Sequence, residues 1–107
     1  MSYQVFLIAD AEEDIVAICQ YIARNDSPTK AAHVKDALKQ ACETLAVSPE
    51  RGHFPPELEQ IGVLEFREIH FKPYRILYQI TEKKVFIHCV VDGRRDLQEV
   101  LERRMLR

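Results

Sequence analysis

Three glycines in 107 residues are too few and too scattered to build a phosphate-cradling loop, so nucleotide chemistry of the glycine-rich kind is excluded. Cysteine is equally sparse. Cys19, Cys42 and Cys89 are odd in number, lack C-x-x-C spacing and fall on apolar faces. That argues against a disulfide framework or a zinc site, and for reduced core residues in a cytoplasmic protein. No apolar run is long enough to span a bilayer, so no membrane partner is expected. The N-terminus also lacks the basic segment and long apolar run of a signal peptide. His33, His53, His70 and His88 show no i,i+4 pairing or other ligand spacing, so neither a metal nor another cofactor is expected. No pairing of a cysteine with a histidine that the sequence can reveal points to thiol catalysis, and paired carboxylates occur only on helix surfaces, where solvation accounts for them. Internal repeats and low-complexity tracts are lacking too.

What is present is an ordinary globular composition, 47% hydrophobic and 30% charged, in a length that makes one domain over residues 1–107. The formal net charge of −2 hides an asymmetry: ten acidic against five basic side chains up to Gly62, seven against ten from Val63 onward. The field of the C-terminal part is therefore compatible with an anionic partner. Attraction between the two halves of one domain accounts for the same asymmetry.

The chain opens with a β-branched and aromatic run over residues 3–8, short enough to be a strand. Asp10 then offers a helix cap, with Glu12, Glu13 and Asp14 in the first turn, where the helix dipole favours negative charge. Ala11, Ile15, Ile18, Cys19 and Ile22 follow at helical spacing up to Asn25-Asp26. Ser27-Pro28 starts a second helix with Ala31, Val34, Leu38, Ala41, Cys42 and Leu45 on one face, ending at Ser48-Pro49. Residues 48–62 carry three of the five prolines and read as a long loop in which His53 and Phe54 pack back on the core and no chemistry is expected.

Residues 65–96 are the basic part of the chain and read as three strands of an antiparallel meander. Tyr74, Ile76, Tyr78 and Ile80 alternate with Arg75, Leu77, Gln79 and Thr81, and Val85, Ile87, Cys89 and Val91 with Phe86, His88, Val90 and Asp92. A two-residue Glu82-Lys83 turn would pair Ile80 with Val85, Tyr78 with Ile87 and Ile76 with Cys89. The outer face would then set Arg75 beside Val90 and Leu77 beside His88. The apolar parity slips between Phe66 and Ile69, and a bulge near Arg67-Glu68 would reconcile it and turn Arg67 outward. Asp96 with Glu99 three residues on starts a closing helix carrying Leu97, Val100, Leu101 and Met105. The expected fold is α+β, ordered β-α-α-β-β-β-α. An N-terminal strand, parallel to a neighbour, and a helical hairpin pack with a mostly antiparallel sheet and a short C-terminal helix.

The candidate functional residues are the basic ones on and beside this sheet: Arg67, Arg75, Arg94 and Arg95. Arginine, always charged and able to make bidentate contacts, suits a phosphate. Arg75 and the Arg94-Arg95 pair could converge on one anion; pairing of Arg75 with Glu68 or Asp92 is the structural alternative.

In order and spacing, several segments resemble the RelE/ParE superfamily of type II toxin–antitoxin systems. They are the Arg67-Glu68-Ile69 strand, Tyr74-Arg75-Ile76-Leu77-Tyr78, the apolar strand over residues 85–91, and Gly93-Arg94-Arg95-Asp96 leading into the last helix. The N-terminal strand, the acidic first helix and Ser48-Pro49-Glu50-Arg51-Gly52 fit the same pattern. The resemblance implies a toxin that slows growth and is neutralised by a cognate antitoxin, which lays a segment across apolar grooves. RelE-like members are ribosome-dependent mRNA endoribonucleases, whose basic residues hold the phosphate while a tyrosine or histidine transfers a proton. ParE-like members instead bind DNA gyrase and cut nothing. On the ribonuclease reading Arg75 and Arg95 would match the basic positions, and His88, beside the Arg75 patch, would carry the proton. The expected tyrosine position, counted from Gly93, is Leu101, which can transfer none; Tyr78 is expected to face inward. That leucine and the ending Arg94-Arg95-Asp96-Leu97 favour the ParE-like, non-enzymatic reading. A relative that binds an antitoxin without being toxic is the third.

Overall fold

The computed structural model describes residues 2–105, apart from the Met105 side chain, so the expected place of that side chain on the last helix lies outside the described residues. β1 (Gln4–Leu7) leads into α1 (Ala9–Asn25), and two residues later α2 (Pro28–Glu43) returns beside it as the expected hairpin. Ser27 caps α2 by accepting from the Lys30 N–H at 3.0 Å, a contribution of about 1 kcal/mol, with Pro28 at the first helical position. The other expected cap is not made. α1 begins two residues early, with Ile8 in the cap position and no side-chain cap bond, so Asp10 and Glu12 fall within the first turn, where the helix dipole favours their charge. Beyond α2, single 3-10 turns over Thr44–Ala46 and Pro49–Arg51 and a one-turn α3 (Pro56–Glu59) carry the chain to the sheet.

The meander follows as β2 (Arg67–Phe71), β3 (Tyr74–Thr81) and β4 (Lys84–Asp92), and α4 (Leu97–Met105) closes the chain. The Asp96 carboxylate accepts from the Glu99 N–H at 3.2 Å, as a helix start requires. The sheet order is β1-β4-β3-β2, with β1 parallel to β4 and the other neighbours antiparallel. β4 is thus the strand that joins the N-terminal strand to the rest.

Both faces of this sheet are covered. On one, Ala11, Ile15, Leu38, Cys42 and Leu45 of the helical hairpin and the turn after it pack on Ile69, Ile76, Tyr78, Val85, Ile87 and Val90. On the other, Leu58, Leu97 and Val100 pack on Leu77, Cys89 and Val91, with Phe66 and Leu101 at the margin. This second layer explains why the apolar parity of the sequence slips. Phe66 belongs to the second face and Ile69 to the first, and β2 pairs with β3 in unbroken register from Arg67↔Tyr78 to Phe71↔Tyr74. The bulge expected near Arg67-Glu68 is therefore not there.

The bulge lies instead in β4. The Glu82-Lys83 turn sets Ile80 opposite Val85 and Tyr78 opposite Ile87 as expected, but Leu77 then faces Cys89 and Ile76 faces Val90. His88 is the extra residue. One inserted residue flips every later side chain to the other face. Cys89 and Val91 consequently join the second core, Val90 joins the first, and Arg75 sits opposite Val91 instead of Val90. The backbone groups freed here are taken by an ion pair: the Asp14 carboxylate accepts from the Val90 N–H at 2.9 Å and from Arg104, and Arg104 also donates to the His88 carbonyl at 3.3 Å. Asp14, expected as helix surface, is largely buried.

Candidate functional site

Arg75, at the start of β3, points to the face covered by α3 and α4. Its guanidinium is held by two carboxylates: Nε and Nη2 donate to Glu68 at 2.6 and 3.0 Å, and Nη1 and Nη2 donate to Glu57 at 2.8 and 2.6 Å. Glu68 comes from the neighbouring strand and Glu57 from α3. The Arg75 side chain is 12% exposed and that of Glu68 1%. The Glu57 hydrogen bonds, then those from Glu68, raise the Arg75 pKa further, so its charge is permanent. The same contact holds the Glu57 carboxyl below its ordinary value, with burial opposing. The alternative of an Arg75–Glu68 ion pair is thus the one realised, and the arginine is spent on internal acids.

Two histidines complete this cluster. His53 Nε2 lies 3.1 Å from one Glu68 oxygen and His70 Nε2 3.2 Å from the other, and the two rings meet edge to face with centroids 5.1 Å apart. His53 belongs to the loop in which no chemistry was expected. An isolated pair of bridges, His53 N–H to the Glu68 carbonyl at 3.1 Å and Glu68 N–H to the His53 carbonyl at 2.7 Å, stitches that loop onto the edge of β2. A cleft of about 510 Å³ opens over the cluster, with Lys72 and Tyr74 also on its wall. The spacing of His53, Glu57 and Glu68 along the chain carries no trace of this convergence; only the alternation Glu68-Ile69-His70, which puts two polar side chains on one face of a strand, was available as a signal.

The remaining basic candidates are scattered. Arg67 donates to the Gly52 carbonyl at 3.0 Å and stacks its guanidinium over Phe54 at 4.8 Å, clamping the loop. Arg94, almost fully exposed, folds back on Asp92 through two bonds of 3.0 Å. Arg95 is exposed, and its backbone N–H donates to the Asp92 carbonyl at 3.0 Å.

His88 is not beside Arg75. Shifted by the bulge, it packs edge-on against Phe66 at 5.4 Å and lines a second cleft, of about 520 Å³, with Leu58, Ile61 and Leu101. Burial pushes its pKa down, Asp10 opposing, so the ring is neutral at pH 7. Asp10, Glu65 and Glu102 also line this cleft, beside one arginine, Arg104, which is committed to Asp14. Tyr78 is fully buried as expected. Its hydroxyl donates to the Pro49 carbonyl at 2.6 Å and accepts from the Gly52 N–H at 3.1 Å, and burial raises its pKa. Chemically, the first cleft offers imidazoles and paired carboxylates, the second an apolar hollow with an acidic rim. Neither sets a free arginine beside a proton-transfer group.

Residues 5–97 match the family model of the ParE toxin of the type II toxin–antitoxin system parDE. The chain belongs to the ParE toxin family. Its fold is shared with the chromosomal ParDE system of P. aeruginosa, at a TM-score of 0.72 and 16% identity over 85% of this chain and 96% of that one. The toxin–antitoxin complex RelBE2 of Mycobacterium tuberculosis is similar at a TM-score of 0.57 and 21% identity, covering 86% and 92%. No curated protein matches the chain in sequence. Among the described residues, no helix of this ParE-family chain is long and apolar enough to cross a membrane.

Proposed function

We propose that this ParE-family chain is a growth-inhibiting toxin that acts by binding DNA gyrase and catalyses no bond cleavage, and that a cognate antitoxin neutralises it in the cytoplasm. The observation that carries the reading is the separation of the nuclease parts. Arg75 is neutralised by Glu57 and Glu68 in one cleft, while His88 and Leu101 lie in another, between apolar and acidic side chains. RNA cleavage needs a phosphate-binding cation and a proton carrier on the same bond. An acidic rim repels the phosphate that would have to enter. The antitoxin partner is inferred from the family and from the structural neighbours, which come from ParDE and RelBE2 systems. The apolar cleft at Ile61, Phe66 and Leu101 suits a segment of such a partner.

Induced expression from a tightly repressed promoter tests the mechanism, with plasmid supercoiling and mRNA integrity followed together and purified gyrase assayed against the purified chain. Loss of supercoiling with intact mRNA is expected. Rapid mRNA cleavage with unchanged supercoiling would transfer the function to the ribosome, and normal growth with folded protein present would make the chain a non-toxic relative.

A further inference from the structure

We propose that His53, Glu68 and His70 form a binding site for one divalent transition-metal ion of the zinc type, a property separate from the action on gyrase. The donor atoms of these three side chains all lie within 4.8 Å of one another. In a tetrahedral site with bonds of about 2.0–2.2 Å, neighbouring donors stand about 3.3–3.5 Å apart. The two histidine-to-carboxylate distances, 3.1 and 3.2 Å, are already close to that spacing. Those two contacts go to opposite oxygens of Glu68, so one ring has to swing toward the other's oxygen as the gap between the imidazoles closes, and both side chains are about half exposed.

The backbone holds the ligands in advance. Glu68 and His70 alternate on one strand and so share a face, and His53 is tied to Glu68 by two backbone hydrogen bonds. Arg75 grips both oxygens of Glu68 and fixes the carboxylate plane, as outer partners of metal ligands do. Glu57 and Glu68 bring two carboxylates against the one guanidinium of Arg75, with Lys72 farther out on the cleft wall. Without metal, each ring meets the carboxylate through Nε2–H. The metal takes Nε2 of both rings, and each ring keeps its proton on Nδ1. Two imidazoles and one carboxylate suit zinc, nickel or copper ions and not magnesium or calcium. The cleft above leaves the remaining position to water.

The test uses the purified full chain stripped with a chelator and titrated with zinc chloride by calorimetry, with cobalt chloride as an optical probe. We expect one ion per chain and a visible cobalt band of low coordination number. Nitrogen NMR of the histidine rings should show the proton moving from Nε2 to Nδ1 on His53 and His70 alone. His53→Ala and His70→Ala should each weaken zinc at least tenfold, the double variant should abolish binding, and His33→Ala should change nothing. Circular dichroism and a thermal melt confirm that the variants fold. The proposal is overturned if zinc does not saturate a single site, if the double variant binds as the parent does, or if calcium and magnesium bind equally well.

Discussion

Removing Arg75 would leave the Glu68 carboxylate buried with two imidazole N–H groups as its side-chain partners. Breaking a buried pair from one side costs about 3–5 kcal/mol, and because Glu57 is a third exposed the lower end applies, about 3 kcal/mol for Arg75→Ala in urea unfolding. Arg94→Ala, which removes a solvent-facing pair, should be indistinguishable from the parent in the same experiment. Acid has a related effect. The Arg75 contact lowers the Glu57 pKa, so the stability Glu57 contributes is whole above its ordinary value of 4.5 and is lost as pH falls through the lowered native value. His88 acts higher up: burial lowers its pKa from 6.5, so its contribution is whole above pH 6.5 and declines below it. Melting temperature should therefore fall in two stages below pH 6.5. His88→Gln should remove most of the upper stage, and Glu57→Gln should shrink the lower, since Arg94 also holds the Asp92 carboxyl below its ordinary value. Gly52 is a different kind of constraint. A side chain there would run into the Tyr78 hydroxyl and come within 2.7 Å of the Glu68 carbonyl, so Gly52→Ala should cost about 1–3 kcal/mol by denaturant titration.

At the scale of elements, the Asp14–Arg104 pair links α1 to α4 and caps the bulged stretch of β4. Arg104→Leu strips the carboxylate of its partner, and Val90 amide exchange should quicken together with fraying of α4, read by hydrogen–deuterium exchange. This contact also marks the limit of what could be read from residues in order. Ser27-Pro28, the parallel β1, the Glu82-Lys83 turn and the Asp96 start of α4 were all legible, because caps, turns and alternation are local. The inserted residue at His88 was not. A bulge leaves no mark in a strand that is apolar on both faces, so Cys89, Val90 and Val91 could be assigned to either layer. The site suffered most, since its pieces come from the loop, α3, β2 and β3. Arg75 was found as a basic residue of interest; that Glu57 would reach it and His53 would reach Glu68 depends on a fold-back no spacing rule encodes.

For the whole molecule, the excess of acid before Gly62 and of base after it is partly resolved internally, through Glu57–Arg75 and Asp14–Arg104. Part of what stays available to a partner is apolar: Ile61, 62% exposed, borders the second cleft. Ile61→Glu should leave stability within about 0.5 kcal/mol. In a pull-down or calorimetric titration it should weaken capture by the antitoxin, and co-expression should then no longer restore growth fully.

The parallel pairing of β1 with β4 also sets a timetable for synthesis. The α1–α2 hairpin can form as soon as it leaves the ribosome, yet the sheet that covers its apolar stripe needs β4, and the Asp14–Arg104 contact joins residues 90 positions apart. At roughly 5–20 residues per second, several seconds separate the completion of α2 from that of α4. During that interval the nascent chain is a helical hairpin with a bare greasy side, competent for chaperones and for aggregation but not yet for its own fold.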